Sequence, residues 1–141
     1  MANAILTREF RIDDFDAALR LWREAEGVEI AEGDSKDEIA HFLERNPGLS
    51  RVAVADGVIA GVILCGHDGR RGHIYHLVVS PAHQRRGIAR RLVQECLEGL
   101  RKAGILRATI LVASDNDCGR SFWLRNGWEH LDDAMAMGIN P

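Results

Sequence analysis

Residues 49–67 read LSRVAVADGVIAGVILCGH: two apolar runs rich in Val, Ile and Ala on either side of Asp56-Gly57. An Asp-Gly pair between two such runs is the two-residue turn of a β-hairpin, because both central residues must adopt positive φ. The hairpin commits the chain to antiparallel pairing, and the remaining elements arrange around it. A second turn, DGRRG at 68–72, leads into HIYHLVVS, a strand closed by Pro81.

Before the hairpin, residues 4–10 (AILTREF) read as an opening strand. Ile12, Phe15, Leu19 and Trp22 then recur at helical spacing, with Asp13 or Asp14 available as N-cap. The stretch GVEIAEGD is a loop broken by Gly27 and Gly33. In SKDEIAHFLERN, Ser35 and Glu38 form a capping box, and Pro47-Gly48 ends the helix. After Pro81, Ile88, Ala89, Leu92, Val93, Cys96, Leu97 and Leu100 make one apolar stripe that stops near Gly104. ATILVAS reads as a buried strand, DNDCGRSFWLRNG as a helix capped by Asp115 or Asn116 and stopped at Gly127, and WEHLDDAMAMGI as one or two returning strands. The predicted order βααβββαβαβ implies one α/β domain over residues 1–141, on a mostly antiparallel sheet.

The length of 141 residues suits one core. A net charge of −3 argues against a general nucleic-acid binder. No apolar run approaches 18 residues, so no membrane span is expected. The first 15 residues lack the layout of a signal peptide. Cys65, Cys96 and Cys118 are odd in number, widely spaced and form no CxxC, so a reducing cytoplasm is the expected location. His73 and His76, three apart on a strand, face opposite sides by alternation and lack a third ligand, so no metal is expected.

Positive charge is local. Arg85, Arg86, Arg90 and Arg91 fall within PAHQRRGIARRL, where a strand ends and a helix begins. The first N–H groups of a helix have no intrahelical partner, and the helix dipole adds partial positive charge there. Gly87 lets the chain turn tightly and lets a ligand approach without a Cβ in the way. Strand, turn and helix of this chemistry hold a phosphate or pyrophosphate. Neither GxxxxGK[ST] nor GxGxxG is present, so neither nucleotide hydrolysis nor a dinucleotide fold has support.

The stretch LVVSPAHQRRGIARRLV resembles the acyl-CoA-binding signature of the GNAT N-acetyltransferase superfamily, Q/R-x-x-G-x-G/A, with Gln84, Arg85, Arg86, Gly87, Ile88 and Ala89 as its core. Downstream, Asn116, Gly119, Phe122, Gly127 and Trp128 resemble the superfamily's pattern for its last helix. The hairpin G-x-D-G-x-R-G and the DND helix start are similar to small bacterial members of the YpeA type. The resemblance implies a GNAT fold, α/β in the α+β sense: a mixed, mostly antiparallel sheet of six to seven strands flanked by about four helices. It implies acetyl-CoA as co-substrate and direct transfer of its acetyl group to a primary amine of a small molecule, protein or peptide. Backbone N–H groups of Gln84 through Ala89 would hold the pyrophosphate. Leu77, Val78 and Val79 would pair with the pantetheine arm as with an added strand. Asn116 would contact that arm, or serve as a plain helix cap, or both.

This chain departs from the family at one catalytic position. Where the family often places a proton-donating tyrosine, the sequence has Trp123, whose indole is no useful acid. Trp123 is kept among the coenzyme contacts, and Tyr75, the only tyrosine, becomes the candidate acid. His73, where some members carry a base glutamate, is the candidate base; it also reads as an ordinary hairpin residue. Alternation puts His73, Tyr75 and Leu77 on one face and His76 on the other. Cys118 reads as a small buried cysteine more readily than as a neighbour of the thioester. Glu24, Glu26, Glu29, Glu32, Asp34, Asp37 and Glu38 could form a rim for a cationic amine or an ordinary solvated loop. The alternative to an enzyme is a CoA-binding regulatory module without turnover. Family members often dimerise, so a homodimer is implied by the resemblance, although no stretch identifies an interface.

Overall fold

The computed structural model describes residues 4–141, so residues 1–3 of the stretch read for a leader lie outside the described residues. The chain divides into two compact units, one ending at Ile110 and one running from Leu111 to Pro141.

The first unit is a five-stranded sheet carrying three helices: β1 (Ile5–Glu9), α1 (Phe15–Glu24), α2 (Lys36–Arg45), β2 (Arg51–Ala55), β3 (Val58–His67), β4 (Gly72–Val79), α3 (Ile88–Lys102) and β5 (Ala108–Ile110). The strands lie in sequence order; only β4 and β5 run parallel. Asp56 and Gly57 turn the β2–β3 hairpin at φ 53° and 78°, as the Asp-Gly pair requires. Ser35 caps α2: its hydroxyl accepts from the Glu38 N–H at 3.2 Å, and Glu38 accepts from the Ser35 N–H at 3.2 Å. Asp68 organises the next turn by accepting from the N–H groups of Arg70 (2.8 Å) and Arg71 (2.9 Å).

The two faces of the sheet follow from β3. A Cβ at Gly61 would sit 2.9 Å from Ile88 Cγ2, and one at Gly66 would sit 2.8 Å from Phe42 Cζ. Gly61, Ile63 and Cys65 therefore face α3, whereas Val62, Leu64 and Gly66 face α1 and α2. Phe10, Phe15, Trp22, Ile39, Val52, Val62, Leu64 and Val78 form the core on the second side. The missing side chain at Gly61 lets Ile88, the first residue of α3, seat itself against the strand.

Several expectations need correction. Five strands are present among the described residues, not six or seven. The ATILVAS strand is confined to Ala108–Ile110. No strand forms in 128–141, where Met135, Met137 and Ile139 are exposed. Alternating Ala and Met supply neither β-branching nor aromatic area, so period alone does not make this tail a strand. Asp14 occupies the N-cap position of α1 but makes no cap bond; a short 3-10 turn precedes it. Its carboxylate instead accepts from Arg8 (2.7 and 2.9 Å) and from the Arg11 N–H (2.9 Å).

The second unit contains α4 (Asp117–Arg125). Asn116 caps it through Oδ1, which accepts from the Gly119 N–H at 2.9 Å. A Cβ at Gly119 would lie 2.5 Å from Asn116 Nδ2, so the Asn and Gly of the motif are one packing unit. Gly127, at φ 89°, ends the helix.

Candidate active site

Residues 80–91 form the turn that the arginine cluster marks. Ser80 donates its N–H to Ala60 O at 2.7 Å, and the Gln84 side chain donates to Val79 O at 3.3 Å, so both tie the turn to the end of the hairpin. Arg85 stands at φ 64° and Gly87, the N-cap of α3, at φ 77°. Left-handed residues separated by one position aim successive N–H groups toward one side. The first backbone bond of α3 runs from the Arg91 N–H to Gly87 O at 3.0 Å. Among the described residues, no backbone acceptor meets the N–H groups of Ile88 and Ala89. A Cβ added at Gly87 would meet nothing within 4 Å. These are open donors at the positive end of a 15-residue helix, beside exposed Gln84, Arg85 and Arg86.

Of the four arginines, Arg91 is committed elsewhere: it donates to Ile5 O at 2.8 Å and pairs with Glu95 at 3.3 Å. Glu95 also accepts from Thr7 (2.7 Å) and Arg51 (3.1 Å), so Arg91 belongs to a strap between α3 and the sheet edge.

β4 leads into this turn and carries the catalytic candidates. Its pairing with β5 covers only Gly72, His73 and Ile74. Beyond Ile74 no further strand pairs with that edge among the described residues, which leaves Leu77, Val78 and Val79 beside an unpaired backbone edge. Tyr75 is 41% exposed and packs edge-on against Phe42, with ring centroids 6.0 Å apart. Partial burial raises its phenol above the ordinary tyrosine value, with a further push from Cys65. The ring of His73 lies 6.0 Å from that of Tyr75, so the two share a face as alternation requires. His73 Nδ1 meets Thr109 Oγ1 on β5 at 2.9 Å.

His76 departs from the predicted alternation. Leu64 opposes Tyr75 and Val62 opposes Val78, so Ile63 alone spans His76 and Leu77. The extra residue is a β-bulge, and His76 adopts φ 50°. The bulge turns His76 onto the face of Tyr75: its ring lies 5.1 Å from Trp22, whose indole N–H donates to His76 O at 3.0 Å. His76 Nε2 lies 3.0 Å from Asp34 Oδ1. Sequence alternation missed this pair, because a bulge is a mismatch between two strands and leaves no mark on either alone.

Asp34 and Glu38 of the acidic stretch are thus engaged, the first with His76 and the second as a cap. Cys118 is exposed at the start of α4, not buried as expected, because the second residue of that helix faces outward. Cys65 and Cys96 are buried; the Cys96 thiol donates to Leu49 O at 3.4 Å, and the neighbouring Cys65 together with burial pushes it well above its ordinary value. Trp123 is buried and packs edge-on between Phe122 (5.1 Å) and Trp128 (4.8 Å) in the second unit. Among the described residues, no group of three or more His, Cys, Asp or Glu is placed to hold a metal ion, and no helix is long and apolar enough to cross a membrane.

A mixed sheet thus carries a bulged fourth strand that leads into a helix whose first amides are open. The sequence model of the Acetyltransferase (GNAT) family matches residues 15–128. An acetyltransferase of Sodalis glossinidius (strain morsitans) is 32% identical over 131 residues, 93% of this chain and 92% of that protein. An acetyltransferase of Pectobacterium atrosepticum is 33% identical over 125 residues, 89% and 88% of the two chains. The PaiA N-acetyltransferase of Thermoplasma acidophilum, solved in complex with coenzyme A, shares the fold at a TM-score of 0.79, with 23% identity and 93% of each chain covered. The chain belongs to the Acetyltransferase (GNAT) family. Its chemistry is acetyl transfer, with acetyl-CoA as co-substrate.

Proposed function

We propose that this protein is one N-acetyltransferase domain over residues 1–141 that passes the acetyl group of acetyl-CoA directly to a primary amine. The observation that carries the reading is the start of α3, where the N–H groups of Ile88 and Ala89 stand open beside a left-handed Gly87 with free space at its Cβ position. The backbone from Gln84 to Ala89 receives the diphosphate of the coenzyme, with Arg85 and Arg86 adding charge at the rim. The unpaired edge at Leu77, Val78 and Val79 receives the amide groups of the pantetheine arm.

Transfer requires a neutral amine, a donor for the thioester oxygen and a proton for the departing thiolate. The backbone near Val78 supplies the oxygen's donor. Tyr75 supplies the thiolate's proton; a phenol raised above its ordinary value holds that proton throughout the working pH range. His73, held through Nδ1 by Thr109, accepts and returns protons on the same face.

The amine is of an open class. An aminoglycoside, glucosamine 6-phosphate and the alanine of a ribosomal protein, the acceptors in the names of three proteins of similar fold, make a first panel. Coenzyme A thiol release, followed with each amine, tests the reading. Saturable release with at least one amine is the expected result. Acetyl-CoA binding without release for any primary amine would instead favour a regulatory module.

A further inference from the structure

We propose that His76 and Asp34 form the proton-accepting dyad of this enzyme, with Nδ1 of His76 taking the proton of the incoming amine. The inference rests on the acetyl-transfer reading above and assigns a catalytic residue that neither the motif nor strand alternation singles out.

Four observations converge on it. The bulge at His76–Leu77 turns the imidazole onto the face that carries Tyr75 and His73, directly before the unpaired edge at Leu77–Val79. The main chain at the bulge is held by the Trp22 indole, which donates to His76 O at 3.0 Å, and the ring rests on that indole at 5.1 Å. Asp34 Oδ1 stands 3.0 Å from Nε2, and its other oxygen accepts from the Ala31 N–H at 3.1 Å, so the carboxylate is itself fixed. Finally, among the described residues Nδ1 has no hydrogen-bond partner, and no side-chain nitrogen or oxygen is both buried and unpaired. Nδ1 therefore reaches solvent, although the side chain as a whole is only 19% exposed.

The chemistry follows. A carboxylate accepts only, so the hydrogen bond to Asp34 places the ring proton on Nε2 and leaves the Nδ1 lone pair open. When Nδ1 takes a proton, the adjacent carboxylate balances the imidazolium, as in the histidine–aspartate arrangement of hydrolases. A substrate ammonium gives one proton to Nδ1, from which it passes to solvent. The neutral amine then forms the C–N bond as the C–S bond breaks; Tyr75 gives its proton to the thiolate, and the amine's second proton restores the phenol. One proton is released per turnover. Asp34 from the α1–α2 loop and the uncharged Trp22 from α1 meet the ring, and Tyr75 and His73 lie on the same face of its own strand. His73 serves less well as first acceptor because its ring partner is the neutral hydroxyl of Thr109, which cannot balance an imidazolium as a carboxylate does.

The test uses the full chain, acetyl-CoA and the amine panel. His76→Asn is the variant of choice, because Asn tolerates the left-handed backbone found here. It should bind acetyl-CoA as the wild type does, lose at least about 100-fold in kcat/KM and lose the acidic limb of the pH–rate profile. Asp34→Asn, the positioning variant, keeps an acceptor for Nε2–H but removes the charge that balances the imidazolium, so kcat should fall while KM and acetyl-CoA affinity stay near the wild-type values. His73→Ala, which removes the second proton carrier of that face, should lower kcat/KM less than His76→Asn does. Nitrogen-15 spectra of the imidazoles should show His76 as the Nε2–H tautomer at neutral pH in the wild type. The dyad is overturned by wild-type turnover in His76→Asn and Asp34→Asn, with the limb of the former unchanged, or by an Nδ1–H tautomer. Absence of acetyl-CoA binding or of turnover in the wild type would instead overturn the transferase reading on which the dyad rests.

Discussion

Substituting Gly87 separates the backbone role of this residue from its role at the ligand. A Cβ there meets nothing within 4 Å, so neither Ala nor Glu clashes with the protein. The cost of Gly87→Ala is that of an L-residue at φ 77°, about 1 kcal/mol. For a chain of 141 residues this lowers Tm by roughly 3–4 °C. Gly87→Glu carries the same backbone cost but sets a carboxylate at the helix start, which returns about 0.3–1 kcal/mol. The Glu variant should therefore melt no lower than the Ala variant. Binding should rank the other way, because the carboxylate occupies the place proposed for the diphosphate and repels its charge. At acetyl-CoA equal to 100 times its wild-type Kd, the wild type gains about 2.7 kcal/mol. A variant weakened about 100-fold gains only about 0.4 kcal/mol under the same conditions. Thermal melts with and without acetyl-CoA, paired with calorimetric titration, read both quantities. A Glu variant that binds like the Ala variant would refute the placement of the diphosphate; one that melts far below it would refute the open-space reading.

Three further outcomes follow from the geometry. Tyr75→Phe should cut turnover while leaving acetyl-CoA affinity nearly unchanged, as read by a separate kcat and Kd; equal turnover would make solvent the proton source. Burial of Asp14 raises its carboxyl, but Arg8 and the Arg11 N–H outweigh this and hold it below the ordinary value. A carboxyl depressed in the folded state contributes stability above its unfolded value near pH 4, and that contribution is lost as pH falls through the lower folded value. Urea melts between about pH 5 and 2 should show this loss in the wild type and a smaller one in Asp14→Asn. Ser35→Ala should cost about 1 kcal/mol by removing the hydroxyl that caps α2, measured as a shift in urea midpoint with unchanged slope.

Elements whose signals are local could be read from the chain alone. The Asp56-Gly57 turn needs only two residues able to take positive φ, and the Ser35–Glu38 box closes within four residues. The stripe of α3 and the turn at Gly87 are likewise contiguous, so the helix and its left-handed start were legible before any coordinate. The bulge was not: it exists because Ile63 opposes both His76 and Leu77, a relation between two strands rather than a property of either. With it went the true direction of His76 and the partnership with Asp34, 42 residues away in sequence. Asp14 was misread for a related reason, since its partner Arg8 lies on the preceding strand and outcompetes the cap. The tail at 128–141 shows the converse failure, a period-2 pattern in residues with little reason to pair.

The central claim is that free amides at the start of α3 hold the diphosphate of the coenzyme. Titration of nitrogen-15-labelled protein with coenzyme A observes those amides directly. The N–H signals of Gly87, Ile88 and Ala89 should move downfield, saturably, and further than those of the α1 and α2 N-termini. Saturable binding with these three signals unmoved would contradict the account.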